Sequence, residues 1–194
     1  YSYAGPMIER ATAKAGAIKA GTSNQMITPF ERNALSIAAD VQKECGVCIS
    51  THTDMGTMGG ETLQLLKEDG AIMEKTVLCH TNKMKDINYF IKLLDTGANL
   101  CFEGADRPMW ATDTECAENI LRLVEMGYQK QLLLSMDAGR NVWQKGYMKR
   151  QGKIVNGISY LLTDFVPLMR KVGVSDEAIM DMLVHNPARV LSLS

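Results

Sequence analysis

The sequence predicts an α/β fold in which strands and helices alternate and the strands run parallel. Three observations point there. Short apolar runs recur, such as Val47-Cys48-Ile49-Ser50-Thr51 and Leu132-Leu133-Leu134-Ser135-Met136; their length and composition suit strands buried on both faces of a parallel sheet. Between them lie stretches with apolar residues at helical spacing, and alternation of this kind implies right-handed βα units. Finally, a lone polar side chain marks several runs: Lys19 within Ala17–Gly21, His52 after Thr51, His80 after Cys79 and Asp137 after Met136. The C-terminal ends of parallel strands are where α/β folds place chemistry.

Each element has a local justification. Met7 to Ala15 reads as the end of a helix, with Gly16 as its cap. Strand 17–21 follows. Thr28-Pro29-Phe30-Glu31 combines a capping box with proline in the first turn, opening a helix that runs to about Cys45 and stops at Gly46. Strand 47–51 leads through His52 into the Gly/Met-rich loop 53–60 and a helix over about 61–68. Strand 76–79 ends at His80. The next helix, 85–95, carries Ile87, Phe90, Ile91 and Leu94 on one face, and Gly97 closes it. Strand 98–102 opens into the loop 103–111. Thr112-Asp113-Thr114-Glu115 is a second capping box and starts a helix to about Met126. Strand 131–136 ends at Asp137. A long polar loop over 138–156, holding Trp143 and Tyr147, precedes helices over about 159–171 and 175–184 and a final turn from Asn186-Pro187.

Length and composition bound the reading. The 194 residues suffice for one domain with a substantial core. Apolar content of 46% and charged content of 22% are those of an ordinary globular chain. A net charge of -1 argues against nucleic acid or a membrane surface as partner, and no run is apolar enough to span a bilayer. The start at Tyr1-Ser2-Tyr3 has neither methionine nor signal-peptide character, so the expectation is a processed N-terminus or a fragment. Five cysteines, an odd number, suggest a reducing, cytoplasmic setting. The pair Cys45 and Cys48 has CxxC spacing but no second pair follows; a helix end and a buried strand residue explain it better than zinc or redox chemistry.

The strand-end residues carry the functional expectation. Two of the three histidines close strands, and imidazole is the commonest metal ligand on a rigid element. His185, before Asn186-Pro187, suits a helix-end role instead. No helix follows Asp137 at once, which favours a functional carboxylate over a cap. Lys19 is the least expected, because burying an ammonium costs several kcal/mol unless it is paired or neutralised. A neutral lysine can take up CO2, and the carbamate is an anionic oxygen ligand able to bridge two metals.

The motifs Ala17-Ile18-Lys19-Ala20, Ser50-Thr51-His52-Thr53, Leu78-Cys79-His80, Ser135-Met136-Asp137 and Asn186-Pro187-Ala188-Arg189-Val190-Leu191, in this order and spacing, resemble the phosphotriesterase family of the amidohydrolase superfamily. The resemblance runs from about residue 4 to the C-terminus. It implies a TIM (β/α)8 barrel with a two-metal site, of which this chain supplies about strands 4 to 8 as one partial domain. It further implies that Lys19 is carboxylated and bridges the metals, that His52 and His80 bind the more exposed metal, and that Asp137 binds the buried one. The family's first-strand His-x-His pair has no counterpart here. The barrel's N-terminal half is therefore expected either to be cut away or to be supplied separately.

By this resemblance the complete protein is expected to be a metal-dependent hydrolase with two divalent ions, zinc first, with manganese or cobalt as the other choices. The nucleophile would be a bridging hydroxide, with Asp137 as proton acceptor. The expected substrate is a small ester: a sugar or acyl lactone, a phosphorylated lactone among them, with phosphotriesters as a side activity. Arg107, on the loop after Phe102, and Trp143, on the loop after Asp137, are the candidate substrate contacts, with Tyr147 on the same loop as Trp143. A homodimer is compatible with this reading. The alternative is a non-catalytic binding or oligomeric module, a truncated barrel without first-strand ligands.

Overall fold

The computed structural model describes residues 15–107, 109–152 and 155–193, without the side chains of Trp143 and Tyr147. The helical reading of Met7 to Ala15 lies almost wholly outside these residues. The chain builds one five-stranded sheet in sequence order, β1 (Ala17–Thr22), β2 (Cys48–Thr53), β3 (Thr76–Cys79), β4 (Asn99–Glu103) and β5 (Leu132–Ser135), with every neighbouring pair parallel. Strands that pair in sequence order need a crossover at each step, and helices provide it. Those between strands are α1 (Pro29–Cys45), α2 (Gly59–Glu68), α3 (Ile87–Leu94) and α4 (Asp113–Glu125).

Both capping boxes form. Thr28 accepts from Glu31 N at 3.2 Å while Glu31 accepts from Thr28 N at 2.7 Å. Thr112 and Glu115 repeat the exchange at 3.2 and 2.8 Å. Gly46 ends α1 at φ 66°, the left-handed cap that glycine takes without a Cβ penalty.

The register divides the sheet into two faces. Lys19 pairs with Ser50, Gly21 with His52, His52 with Cys79, and Cys79 with Cys101, so these residues share the inner face. The outer face carries Ile49, Leu78, Leu100, Phe102 and Leu132, all buried under the helices. Phe102 meets Phe90 of α3 edge to face, with centroids 5.3 Å apart. Side chains of this size stabilise by about 1.5–3 kcal/mol each when fully buried. A smaller cluster of Cys48, Val77, Cys101, Leu133 and Val190 fills the inner face.

The C-terminal third departs from the expected pattern. The stretch read as polar loop contains a helix, α5 (Lys145–Arg150). The helix expected over 159–171 is a π-helical turn, Leu161–Phe165, running into α6 (Val166–Val172). The next two elements form one helical run: α7 (Asp176–Met180), a π turn over Asp181–His185, and α8 (Asn186–Leu191), where a final turn was expected. The two π turns have the same cause. Val166 N bonds Leu161 O and Asn186 N bonds Asp181 O, and each donor directly precedes a proline, Pro167 or Pro187. Proline has no N–H and its ring clashes with the carbonyl one turn earlier; a widened turn moves that carbonyl aside.

α8 then fastens the N-terminal ends of the strands. Arg189 donates to the carbonyls of Glu74 (3.1 Å) and Lys130 (2.7 Å) and to Asn99 Oδ1 (2.8 Å). Asn186 donates to the carbonyls of Gln129 and Leu132, both at 2.8 Å. The Asn-Pro-Ala-Arg segment thus stabilises the face opposite the strand ends that carry His52, His80 and Asp137. No helix among the described residues is long and apolar enough to cross a membrane.

Candidate functional site

The C-terminal ends of the strands are laced to one another. Thr53, after His52, donates to Cys79 O at 2.7 Å. Asn82, after His80, donates to Glu103 O at 2.8 Å from a buried position. Arg107, on the loop after β4, donates to the carbonyls of Met136 (2.8 Å) and Asp137 (2.7 Å). Polar groups whose partners are fixed in this way cost free energy to expose or to leave unpaired, so the rim from His52 to Asp137 is held as one unit. The loop after His52 is fixed similarly, by Tyr89, whose hydroxyl accepts from Gly59 N (2.9 Å) and donates to Gly56 O (2.8 Å).

The two histidines lie side by side, their rings edge to face with centroids 4.4 Å apart. His80 reaches this place because its backbone is left-handed, φ 71°. Its predecessor Cys79 shares the inner face, so an extended His80 would turn to the helices. His80 is buried, and its Nδ1 meets the carboxylate of Glu103, equally buried at the end of β4. A carboxylate on one ring nitrogen fixes the tautomer and presents Nε2 as the remaining donor. His52 is more open. Its pKa is lowered, first by burial and then by His80, Lys19 and Lys83, against a smaller opposite effect of Asp54; the imidazole is thereby kept neutral, the form that binds metals.

Lys19 sits on the inner face of β1, two residues before Gly21, the partner of His52. It is exposed, not buried as its strand suggested, because among the described residues β1 pairs with β2 alone. Gly21 gives His52 its room: a Cβ there would stand 3.1 Å from His52 Cβ.

Across the rim lies a cationic wall. A cavity of about 280 Å³ is lined by His52, His80, Lys83, Arg107, Trp110, Asp137 and Arg140. The Trp110 ring meets two of the cations, with Lys83 Nζ 4.0 Å and Arg107 Cζ 4.9 Å from its centroid, an attraction strengthened by desolvation. Burial lowers the Lys83 pKa, with Glu103, Asp54 and Asp137 opposing. Trp110 fits because residue 104 is glycine: at φ 74° a Cβ there would come 2.6 Å from Trp110 Cζ3. Asp137 also has a left-handed backbone, φ 44°, and its Oδ2 accepts from Arg107 Nη1 at 3.0 Å.

Of the residues singled out in the sequence, His52, His80, Arg107 and Asp137 line this one cavity, whereas Lys19 lies outside its lining. The side chains of Trp143 and Tyr147 are outside the described residues. Two neighbouring imidazoles, one backed by a carboxylate, with an aspartate lining the same cavity, are donor types that divalent metals take. In the chemistry of their donors, His52, His80 and Asp137 fit a divalent metal.

The profile of the phosphotriesterase family matches residues 7–191. The chain belongs to the phosphotriesterase family. A phospho-furanose lactonase of Mycoplasmopsis synoviae is 45% identical over 193 residues, 99% of this chain and 55% of that protein. The crystal structure of an amidohydrolase from Mycoplasma synoviae superposes with a TM-score of 0.95 at 44% identity, again over 99% of this chain and 55% of the other. The phosphotriesterase homology protein of Escherichia coli, complexed with phosphate in its active site, superposes with a TM-score of 0.86 at 31% identity, over 95% of this chain and 62% of that one. The chain thus spans a little over half the length of these relatives. The five parallel strands are those of a partial phosphotriesterase-family TIM barrel. Enzymes of this family are generally binuclear metal hydrolases.

Four residues of the cavity region carried no sequence expectation: Lys83, Glu103, Trp110 and Arg140. Glu103 had a readable signal. It is a carboxylate closing an apolar run, as Asp137 is, but the strand was expected to stop at Phe102.

Proposed function

We propose that this chain carries most of the active site of a metal-dependent hydrolase that opens phosphorylated sugar lactones. The observation that carries the proposal is the cavity itself. Its lining offers two imidazoles and a carboxylate, donor types that divalent metals take, together with Lys83, Arg140 and the Asp137-bonded Arg107, cations suited to a phosphate group. The name of the Mycoplasmopsis synoviae relative and the phosphate in the Escherichia coli protein favour the same substrate chemistry.

His52, His80, Asp137 and Lys19, the last as a carbamate, would hold two divalent ions, with zinc the first choice. When bound, these ions supply Lewis acidity that activates water and polarises the lactone carbonyl. The remaining work falls to the chain. Glu103 holds His80 in one tautomer. Arg107 holds Asp137 Oδ2, which leaves Oδ1 to take the proton of the attacking water and return it to the ring oxygen as the ester opens. Lys83 and Arg140 fix the phosphate, so that binding energy away from the carbonyl orients the reacting bond. Phosphotriesters would share the nucleophile and follow as a side activity.

The test compares a furanose lactone with its phosphorylated form, in protein containing the whole barrel. The phosphorylated lactone is expected to have kcat/KM at least about 100-fold higher, and Lys83→Met or Arg140→Met should each remove about 10-fold of that preference, as a charge-assisted contact is worth about 1.5–3 kcal/mol. Equal rates for both lactones would refute the phosphate assignment. The alternative, a non-catalytic module, rests on the absence of a His-x-His pair from this sequence. Protein that carries no stoichiometric divalent ion and hydrolyses neither lactone would establish it.

A further inference from the structure

The geometry points to a second cation site, made by Cys79, Cys101 and Glu103, that takes a thiophilic divalent ion such as zinc or cadmium and adjoins the histidine rim through Glu103. Cys79 and Cys101 are register partners on adjacent strands, and Glu103 follows Cys101 by two residues on the same face. Their ligand atoms all lie within 4.8 Å of one another. Two donors on a tetrahedral zinc stand about 3.8 Å apart, given bonds of about 2.3 Å, so small side-chain rotations close the set. Ser50 Oγ lies 3.5 Å from Cys79 Sγ and offers a fourth position.

The surroundings suit a soft ion. Cys101 and Glu103 are buried, and the neighbours Cys48, Val77 and Leu133 are apolar and buried too. Two sulfurs with one carboxylate select zinc, cadmium or a similar ion over magnesium and calcium, which need oxygen ligands throughout. The rim, by contrast, is set in nitrogen and oxygen donors. Binding would release the two thiol protons to solvent, since thiolate is the ligand. It would also draw on the carboxylate that meets His80 Nδ1. An ion held here would compete with His80 for Glu103, so excess zinc or cadmium would loosen the rim.

The probe is cadmium alone, titrated into the metal-free chain and followed by thiolate-to-metal charge-transfer absorption, which nitrogen and oxygen ligands do not produce. One absorbing ion per chain is expected. Cys79→Ser and Cys101→Ser should each abolish the band, Glu103→Gln should weaken affinity about 10-fold while leaving the band, and His52→Asn should leave both intact. The exposed Cys45 serves as control. A band lost in Cys45→Ser, a band retained in Cys101→Ser, or no band in the unmodified chain would overturn the proposal. If a serine variant fails to fold by circular dichroism, Cys101→Ala replaces it with the same expectation. Because the readout is spectroscopic, the result is independent of whether lactones are hydrolysed.

Discussion

Arg107 grips Asp137 by both side chain and backbone. Its Nη1 donates to Oδ2 at 3.0 Å, and its Nη2 reaches the carbonyls of Asp137 (2.7 Å) and Met136 (2.8 Å). The guanidinium is 3% exposed. A residue with a left-handed backbone at the end of a strand is thereby set in one orientation by a planar fork that lysine cannot reproduce.

Arg107→Lys should therefore act on geometry more than on charge. The buried Met136 carbonyl would lose its donor, a penalty of about 1–3 kcal/mol, and the more exposed Asp137 carbonyl would lose its own at smaller cost. We expect a lower thermal midpoint and a kcat reduced by about 10-fold or more, with KM changed less. A variant with unchanged melting and unchanged kcat would show that the fork is dispensable.

Glu103→Gln keeps the shape of the side chain and removes the charge behind His80. Outer-shell partners of this kind typically contribute 10–100-fold in metal affinity. Calorimetric titration of zinc into protein containing the whole barrel should show a loss in that range at the histidine rim. An unaltered isotherm would mean that His80 is oriented by packing alone.

Gly104→Ala tests the seat of Trp110. The left-handed backbone costs a Cβ-bearing residue about 1–2 kcal/mol, and the Trp110 ring must move away from a contact of 2.6 Å. Both the melting temperature and the indole fluorescence should change. Fluorescence identical to that of the unmodified chain would place Trp110 elsewhere in solution.

His52 sets a pH dependence for the metal-free chain. Its folded pKa is lowered by burial and by neighbouring His80, Lys19 and Lys83, whereas the unfolded chain keeps an ordinary value near 6.5. Between the two values the unfolded state binds more protons, so stability falls as pH drops through the ordinary histidine range and levels off below the folded pKa. Denaturant midpoints measured across that range should flatten in His52→Asn. A midpoint that rises on acidification, and does so less in the variant, would reverse the sign.

Much of this was legible in residue order because strand ends announce themselves. His52, His80 and Asp137 each close an apolar run, and parallel strands bring their ends to one rim whatever the loops do; Lys19 interrupts a run too, but within β1 and outside the cavity. Thr28 and Thr112 were equally readable, since a capping box is a four-residue pattern satisfied locally. Lys83, Trp110 and Arg140 were not: they meet through loops whose paths depend on contacts such as Gly104 against Trp110, and no periodicity encodes those. The exposure of Lys19 escaped for another reason. An apolar run shows that a strand exists, but not how many neighbours it has. The widened turns before Pro167 and Pro187 were hidden because their side-chain spacing is that of an ordinary helix up to the proline.

Arg189 has a consequence for how the molecule is made. It bonds Lys130, Asn99 and Glu74 from 59, 90 and 115 residues away. These are among the longest loops the fold closes, and each must be closed against chain entropy before its contacts reward it. Arg189 also follows all five strands in chain order. Until Arg189 is translated, the strand-start acceptors of Glu74, Asn99 and Lys130 must be satisfied by other partners such as water. Only once α8 has been added can Arg189 tie those strand starts to one another.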